Sequence, residues 1–110
     1  MSTRLPSVSI VIPAYNEERT IRSCVLVALG QTEPAHEIIV VDNRSTDATA
    51  DIVAQLQAEH PAAPIRYVRQ HLVQGLIPTR DAGFDAATGE VLGRIDADSV
   101  VDPTWVAEVR

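Results

Sequence analysis

Apolar positions along this chain follow two rhythms, and the switches between them mark the elements. Val8-Ser9-Ile10-Val11-Ile12 is a β-rich run closed by Pro13, which has no N–H for a ladder and predicts a strand end. Asn16 then predicts a helix cap, with Glu17 and Glu18 in the positive first turn. Ile21, Val25, Leu26 and Leu29 form one face at 3.6-residue spacing until Gly30. Residues 37–41 are a second strand whose unbroken apolar run, Ile38-Ile39-Val40-Val41, suits a sheet covered on both faces. Ser45 or Thr46 predicts the cap of a second helix, with Asp47 near its positive end and Ile52, Val53 and Leu56 as its stripe up to Pro61.

Residues 65–68 predict a third strand, followed by a polar loop through Gly75. Pro78 fits the first turn of a third helix with small residues Ala82, Ala86 and Ala87, ending at Gly89. Residues 91–95 predict a fourth strand. Asp102-Pro103 reads as the cap and first position of a fourth helix, which has about two turns before Arg110. Strands alternating with helices imply right-handed βαβ units, hence an α/β fold: a mainly parallel sheet with helices on both faces, expected to stop after its fourth strand. No repeat, low-complexity tract or linker interrupts the pattern, so residues 1–110 are expected to form one unit.

In such sheets ligands bind at the carboxyl ends of the strands, where the strand order reverses. Three strands here end in polar chemistry: Pro13-Ala14-Tyr15-Asn16-Glu17, Asp42-Asn43 and Asp96-Ala97-Asp98. Alternation along a strand puts Asp96 and Asp98 on one side, and two hard oxygen donors there suit a divalent cation carrying a phosphorylated substrate.

Composition narrows the partners. A net charge of −6 and a pI near 4.8 argue against a nucleic-acid groove or an anionic membrane surface, which need clustered cations. Cys24 is the only cysteine, which rules out an internal disulfide and fits a reducing compartment; no run is long enough for a signal peptide or a membrane span, so a cytoplasmic location is expected, with membrane association as the alternative if the native chain is longer. His36, His60 and His71 fall at unrelated spacings in loops and suggest no metal cluster.

Four stretches together resemble glycosyltransferase family 2, which has the Rossmann-like nucleotide-diphospho-sugar transferase fold. They are Ser9-Ile10-Val11-Ile12-Pro13-Ala14-Tyr15-Asn16-Glu17-Glu18; residues 37–49 around Val41-Asp42-Asn43-Arg44-Ser45; Gly75 through Arg80-Asp81-Ala82-Gly83 with Ala87-Thr88-Gly89-Glu90; and Ile95-Asp96-Ala97-Asp98. The resemblance implies a nucleotide-diphospho-sugar donor and Mg²⁺ or Mn²⁺, with inverting transfer to an acceptor hydroxyl. Pro13, Ala14 and Tyr15 would form a shelf under the nucleobase, with Glu17 beside the nucleotide. Asp42 and Asn43 would reach the base or ribose and Arg80 the nucleotide, while Asp96 and Asp98 would meet the ribose and the metal-bound diphosphate. An amide at Asn43 matches the N3–H and O4 of uracil or thymine, which favours a UDP- or dTDP-sugar.

The sequence departs from the family pattern in three places. Asn43 and Arg44 stand where V-D-D-G-S has Asp and Gly, and Asp81 stands where A-R-N-x-G has Asn. The family's acceptor half and catalytic carboxylate lie beyond the acidic motif, so no general base is expected among these residues. The alternative is a nucleotide-sugar-binding module without turnover, a donor-binding piece of a longer domain. An unpaired fourth-strand edge would favour self-association. A phosphoacceptor receiver domain is excluded by strand order and by the absence of lysine, and no G-x-G-x-x-G follows any strand.

Overall fold

The computed structural model describes residues 6–69, 87–97 and 103–109. Four strands, β1 (Val8–Ala14), β2 (Glu37–Asp42), β3 (Ile65–Arg69) and β4 (Val91–Arg94), pair in parallel in the order β3-β2-β1-β4. Every residue of β1 and β2 is buried, as their apolar runs predict for central strands. β3 and β4 flank them and are half-exposed, with Leu92 of β4 left 44% accessible.

Side-chain alternation divides the core. Val8, Ile10, Ile12 and Ala14 of β1 join Ile38 and Val40 of β2 on one face. There they meet α1 (Ile21–Leu29) through Ile21, Cys24, Val25 and Ala28, and α2 (Thr49–Glu59) through Val53 and Leu56. Val11, Ile39 and Val41 pack on the other face with Val68 and Ala87. The predicted third helix lies outside the described residues except for its last positions, 87–89. The short α3 (Trp105–Val109) returns to the first face through Val106, whose N–H donates to Gln31 Oε1 at 2.9 Å.

Five local expectations are corrected: Leu26, expected on the apolar face of α1, is 40% accessible, Pro103 lies in a turn before α3 instead of opening it, and three concern strand and helix ends. Pro13 does not end β1, because the strand continues to Ala14. Val11 O accepts from Ile95 N–H on the β4 side and Ala14 O accepts from Asn43 N–H on the β2 side. By alternation Pro13 faces β4, and its missing donor falls where the β1–β4 pairing has ended. Asn16 does not cap α1, which begins at Ile21 after a turn in which Glu17 O accepts from both Thr20 and Ile21 N–H, so no acidic side chain occupies its first turn. Neither Ser45 nor Thr46 caps α2, which begins at Thr49; there Asp47 Oδ1 accepts from Thr49 N–H at 2.9 Å.

At the amino edge of the sheet, buried Glu37 joins three strands. Its Oε2 accepts from Ser9 Oγ (2.7 Å), Thr88 N (2.6 Å) and Thr88 Oγ1 (2.9 Å), and its Oε1 pairs with Arg66 Nη1 at 2.7 Å. Ser9 Oγ also accepts from Gly89 N–H at 2.8 Å, so the segment entering β4 is fastened to β1 and β2 together. Burial would raise this carboxyl, but the bonds from Thr88 N–H, Arg66, Ser9 and the Thr88 hydroxyl outweigh it and hold Glu37 at about 2, against an ordinary 4.5.

Candidate functional site

The strand order reverses between β1 and β4, because β2 and β3 extend the sheet from one side of β1 and β4 lies on the other. Ala14 is in register with Asp42, and Ile95 N–H still bonds Val11 O just after β4. The segments beginning at Tyr15, Asn43 and Asp96 therefore leave the sheet together at its carboxyl edge, as their sequence positions predict.

The first two segments are interlocked. Asn16 N–H donates to Ser45 Oγ (2.9 Å), Glu17 N–H to Thr49 Oγ1 (2.9 Å) and Glu18 N–H to Asp47 Oδ2 (3.3 Å). In return Asn16 Oδ1 accepts from Thr46 N–H (2.8 Å) and Asp47 N–H (3.3 Å), and Glu18 Oε2 accepts from Ala48 N–H (3.1 Å). Asn16 makes these bonds from a left-handed backbone, φ 50°, which asparagine tolerates better than most residues. What little burial Asp47 has pushes its carboxyl up, but bonds from the Thr49 hydroxyl and N–H and from Glu18 N–H outweigh this and lower it.

Asp42 is fully buried and both its oxygens are engaged within the protein. Oδ1 accepts from Ser45 N–H at 2.9 Å, and Oδ2 accepts from the Tyr67 hydroxyl at 2.5 Å. Burial, followed by donation to that carboxylate, pushes the Tyr67 phenol up to about 12. Asp42 therefore shapes the turn that presents Asn43, whose own N–H is tied to Ala14 O at 2.8 Å. The sequence predicted Ser45 or Thr46 as a helix cap, and nothing in it pointed to Ser45 or Tyr67 as partners of Asp42.

Pro13 and Ala14 are buried in the last turn of the pleat, while Tyr15 next to them is 48% accessible, an aromatic surface left open at the strand end. Glu17 is half-buried, and its carboxylate accepts from Thr20 Oγ1 at 3.2 Å. Asp96 lies between buried Ile95 and Ala97 with its side chain 48% accessible, and Arg94 Nε stands 3.3 Å from its Oδ1. Its carbonyl accepts from Cys24 Sγ at 3.5 Å, which ties this segment down onto α1. Arg80 and Asp98 lie outside the described residues. Among the described residues no group of three or more His, Cys, Asp or Glu is placed to hold a metal. Asp96 offers one hard oxygen donor of the kind Mg²⁺ and Mn²⁺ accept, so the described residues fit such an ion as a partial set completed by water and phosphate oxygens. Among the described residues no helix is long and apolar enough to cross a membrane.

This architecture and these motifs have relatives. The mannosyltransferase PcManGT of Pyrobaculum calidifontis, solved with GDP-Man and Mn²⁺, superposes with a TM-score of 0.82 at 30% identity over 89% of this chain and 29% of its own. Glucosyl-3-phosphoglycerate synthase of Mycobacterium tuberculosis, solved with Mn²⁺, UDP and glucosyl-3-phosphoglycerate, gives 0.71 at 27% identity over 93% of this chain and 37% of its own. Glycosyltransferase AglE of Haloferax volcanii is 32% identical over 108 residues, 96% of this chain and 35% of the relative. The chain thus spans about a third of the length of each. The family model described as glycosyl transferase family 2 matches residues 9–109, covering the interlocked loops, the buried Asp42 turn and the acidic segment, and the chain belongs to that family.

Proposed function

We propose that this chain binds a nucleotide-diphospho-sugar at the carboxyl edge of its sheet, as the donor-binding part of an inverting glycosyltransferase. The observation that carries this reading is the convergence of Tyr15, Asn43 and Asp96 on one edge at the reversal of strand order, within a family whose solved members hold GDP-Man or UDP with Mn²⁺. Pro13 and Ala14 support Tyr15, which offers a flat face to a base; Asn43, only 4% accessible with its Oδ1 covered, is assigned to the base edge, favouring uracil or thymine, on sequence alone; and Glu17 lies beside the nucleotide. Asp42 acts through Asn43, by fixing its turn. Arg80 is assigned to the nucleotide and Asp98 to the cation on sequence alone.

A bound Mg²⁺ or Mn²⁺ supplies Lewis-acid stabilisation of charge developing on the diphosphate leaving group. Asp96, with Asp98, would hold it. Cys24 and Val11 keep the Asp96 segment in place through its backbone, and Arg94 balances the carboxylate beside it. Inversion requires the acceptor hydroxyl to attack opposite the diphosphate while a carboxylate takes its proton, a role assigned to no residue described here.

Calorimetric titration with UDP, with and without Mn²⁺, tests the reading. Metal-dependent binding that Tyr15→Ala weakens about tenfold is expected. No affinity for any nucleoside diphosphate at any Mn²⁺ concentration would overturn it. Hydrolysis or transfer of the donor sugar, assayed separately, distinguishes an enzyme from a binding module.

A further inference from the structure

Helix α1 and the residues just after it grip the acidic segment from both flanks. On the near flank Cys24 Sγ donates to Asp96 O at 3.5 Å, and Ile95 and Ala97 are buried in the same core cluster as Ile21, Cys24 and Val25. Asp96 between them keeps its side chain 48% accessible. On the far flank Thr32 N–H donates to Pro103 O at 2.8 Å, and Gln31 Oε1 accepts from Val106 N–H at 2.9 Å. Gln31 is itself buried, and its Nε2 donates to Val27 O at 3.4 Å, so its own helix orients the amide towards α3.

A buried N–H must be paired, and Gln31 pairs that of Val106, which has no acceptor within its own first turn. The functional consequence lies in what these bonds join. The stretch from Asp96 to Pro103, which contains Asp98 by sequence, leaves α1 at Cys24 and returns to its end at Gln31 and Thr32, so one rigid body fixes both of its ends. The same helix starts directly after the loop carrying Tyr15 and Glu17, whose Glu17 O accepts from Thr20 and Ile21 N–H. Resting on the donor-binding reading above, we propose that Cys24 and Gln31 are positioning residues for the divalent cation: by tying both ends of the acidic stretch to α1, they preset its carboxylates before the ion arrives. An ordering cost is thereby removed from cation binding. Both residues act through backbone atoms of the segment, and neither supplies a donor to the ion.

The test is Mn²⁺ binding to the full chain at saturating UDP, followed by electron paramagnetic resonance, in the wild type, Cys24→Ala, Cys24→Ser and Gln31→Met. Val53→Ala removes volume from the same core through α2 and supplies a loss of stability remote from the acidic segment. A partner bonded directly to a metal ligand is worth about 10–100-fold in affinity; acting through the backbone, Cys24→Ala and Gln31→Met are each expected to weaken Mn²⁺ by about three- to tenfold and to broaden the bound-ion lines. Cys24→Ser keeps a donor and is expected to restore most of the affinity lost in Cys24→Ala. Val53→Ala is expected to melt lower than the wild type with Mn²⁺ affinity and lines unchanged. Unchanged Mn²⁺ affinity in Cys24→Ala and Gln31→Met would overturn the proposal. So would an equal weakening in Val53→Ala, which would tie the ion to overall stability, or a wild type that binds UDP but no Mn²⁺. In each of these cases UDP binding survives and the donor-binding reading stands; a wild type that binds neither removes both.

Discussion

Replacing Glu37 by Gln tests how the amino edge of the sheet is held. The carboxylate is almost fully covered, accepts four hydrogen bonds and sits at about 2 instead of 4.5. A depression of 2.5 pH units, at 1.36 kcal/mol each, makes its charge worth about 3 kcal/mol to the folded state. The folded value is the lower one, so this stability is fully present above about pH 4.5 and is lost as pH falls towards 2. Glutamine mimics the protonated form: its single oxygen cannot accept four bonds, and Arg66 loses its partner. Glu37→Gln is therefore expected to cost about 3 kcal/mol at pH 7, a large share of the roughly 5–15 kcal/mol available to a domain. Urea denaturation followed by far-ultraviolet circular dichroism, at intervals from pH 7 to pH 2, measures both chains under the same background of other titrating carboxylates. The gap between them is expected to close below pH 4.5. A gap of the same size at pH 7 and pH 2 would show that the charge of Glu37 contributes nothing and that only its shape matters.

Two other substitutions probe the opposite edge and the last helix. Tyr67→Phe removes the side-chain hydroxyl that donates to buried Asp42, and is expected to cost about 1–3 kcal/mol by urea denaturation. It should also abolish a loss of stability between about pH 10 and 12, because the folded phenol, raised to about 12, favours the fold only while it keeps its proton. Persistence of that alkaline decline in the variant would assign it to another group. Gly93 lies under Trp105, and a Cβ there would overlap the indole ring. Gly93→Ala is thus expected to cost about 1–3 kcal/mol and to shift the emission of the chain's single tryptophan to the red; an unchanged spectrum would mean the ring stays in place.

The strands were legible because their signals are local. Residues 37–41 carry their burial on both faces in four consecutive apolar side chains, and the alternation in residues 8–12 shows in the two faces of the core. Helix starts were not, because Asn16, Ser45 and Thr46 are capping residues in composition but bond to partners about thirty positions away. A window along the chain sees an asparagine before two glutamates; it does not see the N–H groups of Thr46 and Asp47 drawing that asparagine into a left-handed turn. The edge carrying Tyr15, Asn43 and Asp96 followed from topology alone, since parallel strands place all their carboxyl ends together. The supports beneath it, the Tyr67 hydroxyl on Asp42 and the Cys24 thiol on Asp96 O, cross between elements and left no motif. The left-handed backbone of Arg44 was equally hidden, because the residue type gives no hint of it.

The bonds that join residues 16–18 to residues 45–49 run in both directions, so neither loop has its shape without the other. For engineering, the two loops are one cassette. Transplanting either alone into a related scaffold would strand donors or acceptors at the seam, whereas moving residues 16–18 and 45–49 together keeps all six of these bonds. By the same argument, a substitution at Asn16 alone is expected to loosen both loops at once, because the N–H groups of Thr46 and Asp47 lose their acceptor together.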